Sequence, residues 1–223
     1  NYMILVNRLM LLKIKNLSFL IFIIPTFTVI LSYLISLKLN LVPSCIPIID
    51  GCTSISRAGR YYPVNYFFKS CIFISGCFII FYWFKNFSFF NSFFSSKFNK
   101  VAFTMGILSV IFLFLYIIFL GESNYYKFFR KVGIFIYLLF AIISELLLSI
   151  IYFRSRNYKF FLINFVKVKL YLSLFITVLG ILLFPYMIMK IDNFANFRNI
   201  ISWNYFLLIQ INYLSTYFCW KKM

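Results

Sequence analysis

Six long apolar runs constrain this chain more than any other feature. The first, residues 16–37, carries no charged side chain between Lys15 and Lys38. An α-helix rises about 1.5 Å per residue, so about 20 residues cross the hydrocarbon core of a bilayer. Lipid offers the backbone no hydrogen-bond partner, and a helix satisfies its own N–H and C=O groups. We therefore predict an all-α fold, a polytopic membrane helix bundle without β-sheet.

The runs predict a single transmembrane domain over residues 1–223 with six spans. A signal peptide is the alternative for the first run, but the run is too long and no small-residue cleavage site follows it. Residues 1–15 are then a basic flank, 39–63 a long polar loop, and 85–100 a connection whose Phe-rich middle lies at the interface. The six predicted spans are residues 16–37, 64–84, 101–121, 132–153, 170–189 and 199–220.

Composition and charge favour lipid as the solvent. Hydrophobic residues make up 64 % of the chain and charged residues 12 %, against about 25 % charged in soluble domains. The net charge of +18 is divided among the segments between apolar runs, which favours contact with anionic lipids. Because no basic stripe is continuous, we expect no nucleic-acid binding.

The distribution of Lys and Arg predicts the orientation. Six spans place both termini on one side, and the modest excess of basic residues there makes it the cytoplasmic or mitochondrial matrix side. The loop at residues 39–63 then lies on the opposite side.

We expect no enzymatic activity, metal or cofactor. The sequence has no histidine, which removes the commonest general base and zinc ligand. Neither a C-x-x-C motif nor a Gly-rich phosphate loop occurs. Ser54 and Ser56 have no candidate base, so their expected role is to bond the backbone in a turn.

Glu145 is the one acid inside an apolar run, and an ionisable group at such a position is a candidate functional site. Ala141 and Ser149, four residues away on either side, make a small polar stripe on the same helical face. Glu145 is therefore expected to face other helices, either as a proton or lipid-headgroup site or as a protonated carboxyl bonded to a neighbouring helix. No Lys or Arg is expected at its depth.

The loop is too apolar to lie free in water, so we expect an ordered cap on the helix ends. Within it, Arg57 and Arg60 are expected to bind lipid phosphate, an acid of a partner or helix C-terminal carbonyls. Lys69, near the start of the second span, is expected to reach the interface. The apolar side chains are Ile46, Ile48, Ile49, Ile55, Tyr61 and Tyr62.

Cys45 and Cys52 share this loop, with Pro47 and Gly51 between them. A compact reversal on the non-cytoplasmic side predicts a disulfide. Two free thiols packed as small hydrophobic groups are the alternative.

The loop reads Ile55-Ser56-x-x-Gly59-x-x-x-Pro63-x-x-x-x-Phe68, between the first and second spans. It resembles the motif of the DRAM/Frag/Sfk-type family, which includes autophagy modulators and proteins of GPI-anchor lipid remodelling. The resemblance implies six spans, cytoplasmic termini and a luminal motif loop of Ser54, Ser56, Gly59 and Pro63. Arg57 and Val64 stand where the family usually has acids, so a headgroup or metal role resting on those acids is not implied. Gly59 is expected to supply a positive φ, and Pro63 to start a helix.

Two functions follow as expectations. One is a non-enzymatic lipid-remodelling or trafficking factor of an endomembrane, with anionic membrane lipids as partners. The alternative is an accessory subunit that fills a protein–lipid boundary in a large complex, for instance in the mitochondrial inner membrane.

Overall fold

The apolar runs of the sequence fold as helices. The computed structural model describes residues 2–93, 97–121, 124–158, 160–188 and 195–221. Within these ranges the only β-pairing is an isolated bridge between Phe161 and Trp220, so the all-α prediction is confirmed. The helices are α1 (Tyr2–Lys38), α2 (Pro47–Asp50), α3 (Ile55–Ala58), α4 (Val64–Phe93), α5 (Lys97–Ile118), α6 (Asn124–Arg154), α7 (Ile163–Ile188) and α8 (Ala195–Phe218).

Five helices of the described ranges are long and apolar enough to cross a membrane, and they cover the first five predicted spans. The sixth predicted span coincides with α8, which has 24 residues but is too polar to meet the same criterion. The chain is therefore a membrane-embedded helical protein. The five apolar segments are Lys13–Lys38, Val64–Ser92, Lys97–Ile118, Tyr126–Arg154 and Ile163–Leu183.

Two helices run further than the sequence analysis predicts. Helix α1 already begins at Tyr2, so residues 2–15 of the predicted basic flank are helical. Helix α4 continues to Phe93, so the connection predicted at residues 85–100 is mostly helical. Phe89 and Phe90, from its Phe-rich middle, are fully buried inside the bundle.

An aromatic cluster explains why α4 is prolonged. Phe89 and Phe90 pack edge to face against Trp220 and Tyr152, respectively, and Phe161 completes the cluster. Such pairs add about 0.5–1.5 kcal/mol beyond the burial of their area. The packing of the cluster stabilises the extra helical turns of α4. The charge pattern of the sequence could not indicate these turns.

Each of the six long helices packs against the preceding and the following one, and α8 returns to α1. The neighbour order is therefore a closed ring, α1–α4–α5–α6–α7–α8. Connections of few residues between packed helices make consecutive helices antiparallel. The end of the chain is tied to the α6–α7 connection, since Leu162 N donates to Cys219 O at 2.9 Å and Lys221 N to Phe160 O at 3.1 Å.

Candidate functional sites: a docked cap and a buried ion pair

The polar loop, residues 39–63, folds as an ordered cap and is called the cap below. Its first half is held by α1, where the Tyr33 hydroxyl donates to Cys45 O at 2.6 Å and accepts from Cys45 N at 3.2 Å. Its second half is held by Ser36, whose hydroxyl donates to Ala58 O at 2.6 Å. The ordered cap expected from its apolar residues is thus present.

Helix α8 also holds the cap, in addition to α1. Trp203 Nε1 donates to Thr53 O at 2.9 Å, and Asn199 Nδ2 donates to Gly51 O at 2.7 Å. Asn204 Nδ2 donates to the carbonyl of Ile48 at 3.0 Å. Buried backbone carbonyls need such partners, so the polar residues that lower the hydropathy of α8 have a structural role.

Two glycines of the cap are required for different reasons. Gly51 ends α2 at φ +65°, a conformation that side chains disfavour. Gly59 has φ −99°, so the expectation of a positive φ there is wrong. Gly59 instead allows a close approach, because a Cβ at this position would meet the ring of Phe68. This contact joins two positions of the family-like motif.

The remaining motif residues have local roles. Ser54 caps α3, with its Oγ accepting from Arg57 N at 3.2 Å, and the hydroxyl of Ser56 lies 3.4 Å from that of Ser54. The turn role expected for Ser54 is therefore observed. Pro63 follows a cis peptide bond from Tyr62 and directly precedes α4, which begins at Val64.

Arg57, Arg60 and Lys69, at this end of the bundle, have no acidic partner among the described residues. Arg57 is exposed and Lys69 is half-buried in the second turn of α4. Arg60 is half-buried, and its Nε is enclosed without a hydrogen-bond partner in the part of the chain that the structure describes. Of the acids, Glu122 and Asp192 lie outside the described residues, and Asp50 accepts from Ile46 N within the cap at 2.7 Å.

Cys45 and Cys52 form a disulfide within the cap, with their Cα atoms 6.4 Å apart. The predicted pairing is therefore confirmed. Cys71, Cys77 and Cys219 are free thiols. The bond joins the two ends of the cap segment that contains α2, from Cys45, which contacts Tyr33, to Cys52.

We predict that replacing both bridged cysteines, Cys45→Ser with Cys52→Ser, lowers the free energy of unfolding by roughly 2.5 kcal/mol, the chain-entropy value for a ring of this length. Thermal unfolding of the purified protein measures the effect. The matched control is Cys71→Ala with Cys77→Ala, which breaks no bond. Full alkylation of Cys45 without a reducing agent would contradict the prediction.

The second site is an ion pair inside the helix ring. Lys169 Nζ of α7 lies 2.8 Å from Glu145 Oε2 of α6, and their side chains are 0 % and 3 % exposed. Glu145 thus faces other helices. The expectation that no base lies at its depth is wrong, because α7 begins at Ile163 and Lys169 belongs to the helix rather than to the connection.

The sequence carries a signal for this pair in the spacing of its charged and serine residues. Glu145 and Ser149 are four residues apart, and so are Lys169 and Ser173. Residues four apart share one face of a helix. Two helices that each carry a charge and a serine at this spacing, with opposite charges, indicate a polar seam between them.

The seam continues to α8 through Asn212. Lys169 Nζ also donates to Asn212 O at 3.3 Å. The hydroxyl of Ser173 lies 3.0 Å from Asn212 Oδ1 and 2.6 Å from that of Ser149. All five residues are buried, so the seam joins α6, α7 and α8.

Buried tyrosines surround the seam. Tyr82 of α4 bonds Thr216 of α8 at 3.1 Å between their hydroxyl oxygens. Tyr152 of α6 donates to Asn86 Oδ1 of α4 at 2.8 Å. The ring of Tyr213 packs edge to face on Tyr82, with centroids 5.7 Å apart. These long side chains fill the middle of the helix ring.

The chemistry available at the seam is that of a neutralised charge pair. No group of three or more Cys, Asp or Glu side chains able to hold a metal occurs among the described residues. A buried pair adds little net stability, but losing one partner costs about 3–5 kcal/mol because the other charge is left uncompensated. The pair therefore specifies which helices meet.

We predict that Glu145→Gln destabilises the protein by about 3–5 kcal/mol, since Lys169 then loses its counter-charge. Adding Lys169→Met to this variant should restore most of the stability. Thermal unfolding in detergent measures both effects.

The charge control for these variants is Lys100→Met at an exposed position of α5, which should leave the midpoint unchanged. A Glu145→Gln variant as stable as the unmodified chain would indicate a protonated carboxyl, as the alternative in the sequence analysis holds.

Comparison of the chain with known protein families, with curated proteins and with solved structures finds no match. The likeness to the DRAM/Frag/Sfk-type family therefore rests on the loop motif.

Proposed function

We propose that the protein is a non-enzymatic integral membrane protein of six spans whose cap contacts anionic lipid headgroups on the non-cytoplasmic side, as a lipid-remodelling or trafficking factor of an endomembrane. The observation that carries the proposal is the outer surface of the cap. It combines Arg57 and Arg60, which have no acidic partner in the described ranges, with exposed apolar side chains. The absence of histidine from the sequence supports a non-enzymatic role.

The cap surface has the composition of a membrane interface. Ile46 and Ile49 are 58 % and 68 % exposed, and Tyr62 and Tyr66 are 73 % and 67 % exposed. Aromatic rings with a polar tip prefer the headgroup level, and branched aliphatic side chains reach the acyl boundary below it. Arg57, exposed among them, suits a phosphate.

Helix α8 is proposed as the sixth span. Its buried polar residues face the cap and the polar seam, as Trp203 and Asn212 illustrate. A membrane helix tolerates such residues where they are bonded inside the bundle. The contacts of α8 with α1 and α7, both apolar enough to span, support the same depth for α8.

We predict that single cysteines introduced at the two ends of α8 react from opposite sides of the membrane. Phe197→Cys should label from the side of the cap, together with Asn40→Cys. Lys221→Cys should label from the other side, together with Lys97→Cys. A membrane-impermeant maleimide added to sealed vesicles of either orientation measures this, in a chain with Cys71→Ala, Cys77→Ala and Cys219→Ala. Labelling of both α8 ends from one side would reject six spans.

We predict that Arg57→Gln with Arg60→Gln weakens binding to phosphatidylserine by roughly 30-fold, because each basic residue near an anionic surface contributes about 1 kcal/mol. Binding of the purified protein to nanodiscs of phosphatidylcholine with and without phosphatidylserine measures the effect. The difference between the two compositions reports the anionic contribution.

The matched control removes two exposed charges at the opposite end of the bundle, Lys97→Gln with Lys100→Gln. If the control weakens binding as much as the cap variant does, binding depends on the net charge of the protein and not on the cap. The proposed role of the cap then fails.

The second candidate is an accessory subunit of a large membrane complex, for instance of the mitochondrial inner membrane. The exposure of α7 favours it, since 22 % of its most apolar window is buried, against 39 % for the other four apolar helices. Obligate co-purification with other subunits in mild detergent would support this role, and a stable monomer would support the first. The exposed α7 side chains include Tyr171, Phe175, Val178, Ile181 and Leu182.

A further inference from the structure

A small, partly open cavity lies beside the ion pair. Its volume is about 10 Å³. Its polar lining comes from Glu145, Ser173 and Asn212, one residue from each of α6, α7 and α8, and Ala141 contributes to its apolar wall. The cavity therefore sits where the three helices of the polar seam meet.

One carboxylate oxygen at this place has no donor. Glu145 Oε2 accepts from Lys169, but Glu145 Oε1 is fully enclosed and has no hydrogen-bond partner in the described part of the chain. Buried polar atoms are rarely left unpaired, and bound water is the usual remedy where protein groups fail.

The serine hydroxyls of the seam cannot supply the missing donor. Ser149 and Ser173 each carry one hydroxyl hydrogen. Their oxygens are 2.6 Å apart, and Ser173 Oγ is 3.0 Å from Asn212 Oδ1. A chain from Ser149 to Ser173 to Asn212 uses both hydrogens, so none remains for Glu145 Oε1.

We infer that the cavity is a binding site for a single water molecule, which donates to Glu145 Oε1 and bonds the polar groups of Ser173 or Asn212. The water closes a hydrogen-bonded ring that runs through α6, α7 and α8. Its ligand class is a small neutral donor, because Lys169 already balances the carboxylate and leaves no net charge to attract an ion.

Size and lining both fit this ligand. A cavity needs about 10–15 Å³ and two to four polar partners to hold one water. The cavity meets the lower limit of this range, and three polar residues line it. A larger polar ligand has no room, and a dry cavity would leave Glu145 Oε1 unpaired.

The test replaces Ala141, one helical turn before Glu145, with serine in one variant and with cysteine in another. The serine and cysteine side chains are similar in size to each other. Ala141→Ser places a hydroxyl where it can replace the water as donor to Glu145 Oε1. Ala141→Cys fills the same space with a thiol, which is a weak donor. If the site holds water, the serine variant keeps the melting temperature of the unmodified chain and the cysteine variant melts several degrees lower.

A dry cavity gives a different result. Glu145 Oε1 would then have no donor in the unmodified chain, so the hydroxyl of the serine variant would pair it and raise the melting temperature above that of the unmodified chain, and the inference would be overturned. The control is the same exchange at Ala102 of α5, a buried alanine that does not line the cavity. There the serine variant should have no advantage over the cysteine variant.

A direct observation completes the test. An experimental structure of the full chain in a lipid nanodisc, at a resolution that reveals ordered waters, should have density within hydrogen-bond distance of Glu145 Oε1. An empty cavity in a map that resolves other buried waters overturns the inference, whatever the melting temperatures.

Discussion

The interior of the helix ring is the constraint on which the rest of the structure depends. The six long helices pack against one another in the order of a closed ring. Long side chains are buried among them, namely those of Tyr82, Tyr152, Tyr213 and Lys169. Such groups bring polar atoms into a region without bulk water, where an unpaired polar atom costs free energy. The hydroxyl of Tyr82 therefore meets α8, the hydroxyl of Tyr152 meets α4, and the ammonium group of Lys169 meets Glu145.

Helix α8 connects the two ends of the bundle. Near its start, Trp203 and Asn199 hold the cap. In its middle, Asn212 belongs to the polar seam, and beyond its end Trp220 joins the aromatic cluster. The three attachments explain why α8 is the least apolar of the long helices. Its polar groups bind the rest of the molecule rather than lipid or water.

The proposed role rests on the difference between the interior of the helix bundle and the outer surface of the cap. Inside, opposite charges are paired and enclosed, which specifies the contact of α6 with α7 and leaves little free chemistry. Outside, at the cap, Arg57 is exposed among apolar side chains and has no acidic partner in the described ranges. A rigid surface of this kind, closed by the Cys45–Cys52 bond, suits recognition of headgroups better than catalysis.

The sequence by itself determined the helical class, the first five of the six predicted spans and the ordered cap, and it predicted the disulfide as one of two alternatives. Each of these follows from local rules, since a long apolar run must satisfy its own backbone in lipid and two cysteines seven positions apart can meet without help from the rest of the chain. Only the tertiary structure decided the partner of Glu145, the burial of Phe89 and the reason for Gly59. These depend on residues distant in sequence: Lys169 on another helix, Trp220 at the end of the chain, and Phe68 packed against the glycine. Charge and hydropathy along the chain report where lipid lies, whereas the packing of one helix against another reports which polar groups meet.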